Sequence, residues 1–231
     1  MTGRVKTRLS PALPATLACE LHAAMTADTL ATVASTVTAD ERCILWDGPA
    51  SRDATSIEVP AAIREGAQSD GDLGARLAAA FDELFDGADA VVIVGTDCPD
   101  LRARHLDDAF AALAHHDLVL GPSRDGGYWL VGLTRRTPEM FADIPWGTDT
   151  VFARTVERAA GVGLPASRLE MLSDLDTPDD LVRLIARWLV DPAARAAATA
   201  RALERIGLLP GGTDAPTREA PASPAARAHP R

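Results

Sequence analysis

The residues whose types and spacing best suit chemistry lie in Gly95-Thr96-Asp97-Cys98-Pro99-Asp100. Asp97 and Asp100 put two carboxylates three residues apart in one short loop. Hard divalent cations such as Mg²⁺ and Mn²⁺ take oxygen ligands, commonly one or two carboxylates plus the phosphates of a substrate. A cation held there would neutralise a diphosphate leaving group. The plainer use of Asp100 is to cap the turn that follows. A second acidic segment is Asp174-Leu175-Asp176-Thr177-Pro178-Asp179-Asp180. It is a good helix start in its own right: Thr177 suits the N-cap, Pro178 the first helical position, and Asp179 and Asp180 the positive end of the dipole. Of Asp174 and Asp176, either can stand near a metal while the other is structural.

Three further segments carry polar groups in useful company. Asp125-Gly126-Gly127-Tyr128 pairs glycines that allow a tight turn or a close backbone approach to a ligand. Asp125 there suits a metal, or a sugar or acceptor hydroxyl, and an ordinary turn is the simpler alternative. Gly3-Arg4-Val5-Lys6-Thr7-Arg8-Leu9 is basic. Arginine pairs with phosphate in bidentate fashion and lysine acts as a point charge, although a lone basic run is more often a solvated terminus. Gln68-Ser69-Asp70-Gly71-Asp72-Leu73-Gly74-Ala75-Arg76 sets glycines at a helix start, where exposed N–H groups can meet an anion or a base edge. Asp70 or Asp72 acting as a plain N-cap is the alternative.

The elements that must position these segments follow from periodicity. Helices are predicted for Pro14 to about Ser35, Asp72 to Phe85, His105 to His115, Asp149 to Ala160 and Asp176 to about Val190, with one more from Pro192 to Ile206. Short apolar runs predict strands at Cys43–Trp46, Ala90–Val94, Leu118–Leu120, Tyr128–Leu133 and Leu169–Leu172. Residues 50–67 are ambiguous, with a short strand near Ile57 and a short helix near Ala61–Glu65 as the options. The β-branched run Ala90–Val94 reads as a strand apolar on both faces, belonging in the middle of a covered, mostly parallel sheet. That places Gly95–Leu101 at a strand's carboxyl end, where open α/β sheets bind ligands. Ser123–Gly127 is a turn, leaving its flanking strands as a long-loop hairpin or as two neighbours. The alternation of strands and helices predicts one α/β domain over residues 1–208. The Pro/Ala-rich segment 209–231 is expected to be a disordered tail.

Composition excludes several classes. The net charge of −10 argues against a nucleic-acid polymer as partner. A mononucleotide needs only a few local cations or N–H groups. No apolar run is long enough for a membrane span, and no apolar stretch follows the basic N-terminus as a signal peptide requires. Cys19, Cys43 and Cys98 are odd in number and widely spaced, so they form no disulfide framework or zinc cluster. Reduced thiols in a cytoplasmic protein are the expectation, and a homodimer is left open.

Taken in order, GRVKTRL, Q-x-x-GDLG-x-RL, VGTDCPDL, LGPSRDGGYWLVGL, IPWGTDTVF and DLDTPDDL resemble the bacterial GT-A-like glycosyltransferases associated with arsenosugar biosynthesis, long catalogued as a domain of unknown function. That family is part of the nucleotide-diphospho-sugar transferase superfamily, with molybdenum-cofactor and phospholactate guanylyltransferases as more distant relatives. The resemblance spans about residues 3–190. It implies a three-layer sandwich with a mostly parallel central sheet, a divalent metal (Mg²⁺ or Mn²⁺), a nucleotide-sugar donor and a small-molecule acceptor. It implies metal ligation by Asp97, more weakly by Asp100, and by Asp174 or Asp176. Lys6 and Arg8 would meet the donor's phosphates. Gln68, Gly71, Asp72 and Arg76 would lie near base and ribose. Asp125, Gly126, Gly127 and Tyr128 would face the transferred group or the acceptor, with Asp125 as the catalytic candidate. The family also carries a strand before the basic loop, whereas this chain starts at Met1-Thr2-Gly3 inside that loop. A start upstream of Met1 is therefore expected, the alternative being a non-catalytic remnant. Glycosyl transfer is the leading expectation, and nucleotidyl transfer to a phosphorylated small molecule is the alternative activity.

Overall fold

Among the described residues six short strands and six α-helices follow one another along the chain, the sheet strands carrying short apolar runs. The computed structural model describes residues 6–9, 12–48, 51–52 and 56–210. Helix α1 (Ala15–Ser35) leads to strands β1 (Cys43–Trp46) and β2 (Arg64–Ala67), then α2 (Leu73–Leu84), β3 (Val91–Val94) and α3 (Ala103–Leu113). The hairpin β4 (Leu118–Pro122) and β5 (Tyr128–Leu133) follows, then α4 (Val151–Gly161), β6 (Ala166–Arg168), α5 (Pro178–Val190) and α6 (Ala197–Arg205).

The strands form two groups. β1 and β2 pair in parallel, and β3-β5-β4-β6 form a four-stranded sheet. Within that sheet β5 is antiparallel to both neighbours and β6 is parallel to β4, so β3, β4 and β6 all point one way. Their carboxyl ends consequently share one edge of the sheet. Side chains alternate across it. Val91, Ile93, Leu118, Leu120, Val131 and Leu133 pack toward α2 and α4 through Leu77, Phe81 and Ala159. Val92, Val94, Val119 and Leu130 pack toward α3 through Leu106, Ala109 and Leu113. Both faces are covered, which explains the unbroken apolar runs. The architecture is the expected mixed α/β sandwich, with helices on both faces of the sheet.

Helix α1 ties the molecule together. Its first half packs Leu21 and Met25 against Leu181, Leu184 and Trp188 of α5 and Leu203 of α6. Its second half packs Leu30 on Trp46, Ile57 and Ile63. Val33 touches both the β1–β2 cluster and the main-sheet cluster. A polar contact closes the same interface. Helix α6 has no cap of its own, and Asp28 of α1 accepts hydrogen bonds from Ala198 N (2.8 Å), Thr199 N (2.7 Å) and Thr199 Oγ1 (2.7 Å).

Several expectations need correction. Among the described residues β3 pairs only with β5, so Val91–Val94 flanks the four-stranded sheet rather than running through its middle. Near Ile57 there is no strand, and Ala61–Glu65 is not a helix: a turn at Ala61–Ala62 feeds β2. Strand β6 falls at Ala166–Arg168, three residues before the predicted run. Leu169–Leu172 continues past it outside any strand, held to the sheet by Leu169 N donating to Leu120 O (2.9 Å) and by a bridge from Leu172 to Ser123. The segment 192–206 splits into a short 3₁₀ turn, Pro192–Ala194, and α6. Leu209, assigned to the tail, is buried in the α1–α5–α6 core. The rest of that tail from 211, together with Gly3 and Arg4 of the basic segment, lies outside the described residues.

Replacing Asp28 by alanine strands the three donors at the start of α6. We expect Asp28→Ala to lower stability by about 2 kcal/mol. The readout is a lower urea midpoint with an unchanged slope. Asp28→Asn, which keeps an acceptor, is expected to lose less.

Candidate functional site

Because β3 and β4 end at the same edge, the loops that follow them are neighbours, and the chain after β6 returns to join them. The backbone binds them together. Leu175 N donates to Asp97 O (2.8 Å), Arg124 N donates to Leu172 O (3.1 Å), and Leu172 N donates to Pro122 O (3.1 Å). The acidic loop, the Asp125 turn and the Asp174–Asp180 segment are thereby laid side by side.

Asp97 is the centre of the first cluster. Its Oδ1 is shut off from solvent, although the side chain as a whole keeps 45% of its exposure. The Lys6 ammonium lies 3.0 Å from that oxygen and 3.7 Å from Asp176 Oδ1, with only 4% of its side chain exposed. Lys6 reaches this position with a backbone φ of +52°, in the left-handed region that non-glycine residues rarely adopt. Arg8 Nη1 meets Asp176 Oδ2 at 2.7 Å. His22, reaching over from α1, sets Nδ1 3.6 Å from Asp97 Oδ1 and has no hydrogen-bond partner for it. Burial alone would raise the Asp97 pKa, but the His22 ring and the Lys6 charge outweigh it and hold the carboxyl at about 2. Burial, then the charges of Asp174 and Asp97, push the Cys98 thiol well up, so it stays protonated.

The second cluster stands beside the first. Asp174 Oδ1 accepts from Ser123 Oγ at 3.3 Å. Burial first and the Asp125 charge second push its carboxyl up to about 6. Asp125 is exposed and accepts from Gly127 N at 2.9 Å in a local turn. Gly126 has φ +92° and lies against the Asp149 backbone, where an added Cβ would fall 2.0 Å from Asp149 O. This explains the first of the paired glycines by packing as much as by any ligand. Tyr128 turns inward: burial raises its pKa, its hydroxyl lies in the interior beside Thr155, and its ring meets Trp146 edge-on. It is placed to support the turn rather than to touch an acceptor.

The geometry separates two pairs that the sequence left interchangeable. Asp176 shares the Lys6 ammonium with Asp97, while Asp174 faces Ser123 and Asp125. Asp100 leaves the loop in another direction and pairs with Arg187 of α5 at 2.5 Å. Asp180 completes the predicted helix start, accepting from Thr177 N (2.7 Å) while the Thr177 hydroxyl caps Asp180 N (3.3 Å).

A third group collects at the carboxyl end of the β1–β2 pair. Arg76 Nη1 donates to Asp47 Oδ1 (3.0 Å) and to Gln68 Oε1 (3.1 Å), and its Nε donates to Gly71 O (2.9 Å). Gln68 Nε2 donates to Leu45 O at 3.0 Å, and Asp72 caps α2 by accepting from Ala75 N at 2.9 Å. Gly71 has φ +113°, which requires glycine. Four predicted residues are therefore assembled in one place, together with Asp47, which directly follows β1. His22, Ser123 and Arg187 were also missed. Each lies far along the chain from its partner, and no local signal marks it. Among the described residues no three His, Cys, Asp or Glu side chains converge as a metal cage. The cysteines are free, and no described helix is long and apolar enough to cross a membrane. A surface cavity of about 340 Å³ between α2 and the Pro138–Phe141 turn has none of these residues in its lining.

The fold is that of a nucleotide-diphospho-sugar transferase-like protein. The chain is 30% identical to a provisionally assigned nucleotide-diphospho-sugar transferase from Desulfovibrio desulfuricans G20, with a TM-score of 0.78 covering 90% of this chain and 91% of that one. Residues 29–148 match a family described as an uncharacterized protein conserved in bacteria (DUF2064), and the chain belongs to that family. A curated relative, the 3-phospho-D-glycerate guanylyltransferase of Phenylobacterium zucineum (strain HLK1), is 39% identical over 112 residues, 47% of this chain and 49% of the relative. The match thus spans about half the length of that protein. A CMP:2-keto-3-deoxy-manno-octonic acid synthetase solved with CTP shares the fold alone, at 13% identity and a TM-score of 0.51 over 72% of this chain and 88% of that one.

The Asp174 carboxyl yields a pH test. Its folded pKa of about 6 lies above the ordinary value of 3.8, so ionising it opposes folding. That cost is absent below the ordinary value, grows between the two, and is complete above the folded one. In chelator, Asp174→Asn is expected to melt higher than wild type above about pH 6, by about 1 kcal/mol after solvent screening. The two melting curves should merge near pH 4.

Proposed function

We propose that this chain is a transferase that takes a nucleotide-diphospho-sugar donor and passes the sugar to a hydroxyl of a small molecule, assisted by a divalent cation. The observation that carries the reading is the pairing of Asp97 and Asp176 around a single positive charge at the carboxyl edge of the sheet. The residues fit a divalent ion. Asp97 and Asp176 converge on one small cation, the Lys6 ammonium, and two carboxylates without a third acidic, histidine or cysteine ligand among the described residues leave room for water and phosphate oxygens, as Mg²⁺ and Mn²⁺ prefer. Bound there, the ion would stabilise the charge of the departing nucleoside diphosphate.

The chain's own groups divide the remaining work. Arg8, and Lys6 once freed, hold phosphate oxygens. The Gln68–Arg76 assembly with Asp47 offers polar groups to base and ribose. An acceptor hydroxyl beside Asp125 attacks the anomeric carbon, and its proton passes to Asp174, whose carboxyl at about 6 is matched to proton uptake near neutrality. The bond from the anomeric carbon to the phosphate oxygen breaks, and the nucleoside diphosphate leaves. Most of the acceleration would come from positioning and electrostatics.

A second reading, nucleotidyl transfer, draws on the guanylyltransferase name of the curated relative. There a phosphorylated acceptor attacks the α-phosphate of a nucleoside triphosphate and pyrophosphate leaves. The two part by product. With Mn²⁺ we expect nucleoside diphosphate to be released from a nucleotide-sugar panel, and no pyrophosphate from triphosphates. The opposite pattern selects the second reading, and neither product overturns both. Asp97→Asn is expected to reduce turnover by on the order of 100-fold or more, by removing the ligand rather than the fold.

A further inference from the structure

The chain contains one lysine, Lys6, and every other one of its 23 basic residues is arginine. That single ammonium is the group inserted between Asp97 and Asp176, 3.0 Å from one carboxylate and 3.7 Å from the other. Its neighbour Arg8, two-thirds exposed, binds Asp176 from outside. The difference in residue type has a physical meaning. A guanidinium is a planar fork that approaches a carboxylate edge-on, whereas an ammonium is a compact point charge with three donors directed around it. Of the two, only the ammonium resembles a small hydrated cation in size and field. It stands between the two oxygens, Asp97 Oδ1 and Asp176 Oδ1, that face each other across the site.

Resting on the metal reading above, we propose that Lys6 is a removable internal counter-ion: it neutralises Asp97 and Asp176 while the metal is absent and moves to the donor's phosphates when the metal arrives. Three observations support it. The ammonium is nearly buried and stands against the facing oxygens of both carboxylates, Asp97 Oδ1 and Asp176 Oδ1, while Arg8 takes only the other oxygen of Asp176. The backbone at Lys6 has φ +52°, an uncommon conformation that the ion pair helps to hold, and leaving the pair allows it to relax. The segment around it is short, a 3₁₀ turn at Thr7–Leu9 anchored by buried Leu9, so a change at Lys6 need not disturb the sheet. The consequence is coupling. Metal alone must displace an ammonium that has nowhere better to go, and binds weakly. Metal with a nucleotide diphosphate offers the ammonium phosphate oxygens instead, and binds tightly. By linkage the nucleotide gains from the metal by the same factor.

The test uses Mn²⁺ and GDP as probes on the full chain, with free Mn²⁺ read by electron paramagnetic resonance. Wild type should bind Mn²⁺ at least tenfold more tightly with GDP present than without it. Lys6→Met should bind Mn²⁺ alone at least tenfold more tightly than wild type and lose most of the GDP effect, while Lys6→Arg should not gain affinity for Mn²⁺ alone. Equal Mn²⁺ affinity for wild type and Lys6→Met, with the GDP effect retained in both, overturns the proposal while leaving the metal reading intact. No Mn²⁺ binding by any form, with or without GDP, overturns both. Should Lys6→Met not fold, the wild-type lysine itself reports, since it is the only side-chain amine. Its acylation rate should rise at least tenfold with bound Mn²⁺ and fall again when GDP is added, and a rate indifferent to bound Mn²⁺ overturns the proposal.

Discussion

A carboxylate oxygen closed off from water must be matched by positive charge, and Asp97 Oδ1 is such an oxygen. Leaving a buried charge unpaired costs several kcal/mol, more than a single surface contact returns. The arrangement around it follows from that constraint. Lys6 is drawn under the sheet edge in an uncommon backbone conformation, Arg8 turns toward Asp176, and His22 of α1 faces the same oxygen. Helix α1 is thereby linked to the acidic loop as well as to the two strand groups that it bridges.

The site is built from parts that the fold brings close in stages. Strand direction does the first part. β3, β4 and β6 run one way, so their carboxyl ends gather the Asp97 loop, the Asp125 turn and the segment leading to Asp176. Backbone hydrogen bonds between those loops do the second, fixing Asp97 beside Leu175 and the Asp125 turn beside Leu172. The Gln68–Arg76 assembly belongs to the β1–β2 pair and is built on its own logic, with Arg76 bonded to Asp47, Gln68 and the Gly71 carbonyl. Within the acidic region, environment then gives similar residues different properties. Asp97, beside His22 and Lys6, is held at about 2 against its burial, and Asp174, buried and facing Asp125, is pushed up to about 6.

Much of this was legible in the chain. The helices at 15–35, 73–84, 103–113 and 178–190 follow their apolar spacing and caps, because these are local effects of backbone geometry and of side chains within four residues. The misplacements have a common cause. Leu169–Leu172 is as apolar as a strand, yet pairing is granted by register with β4, and that register selects Ala166–Arg168. Val91–Val94 is apolar on both faces because helices cover both, a property that says nothing about how many strands lie on either side. Tyr128 belongs to a glycine-rich turn that suggests a ligand, but its ring is spent on the core.

By itself, the sequence determined the α/β class, the existence of most helices and the set of acidic, basic and glycine-bearing segments from which a site could be made. These depend on residue type and on neighbours a few positions away. Only the tertiary structure decided which members of that set meet. It joined Asp97 to Asp176 and not to Asp100, gave Asp174 to Asp125 and Ser123, and recruited His22 and Asp47, which no local pattern marks. The reason is that distance between side chains is set by strand order and loop crossing, and neither is written at any single position of the chain. Lys6 shows both halves: the sequence made it the only lysine, and the fold put it between the two carboxylates.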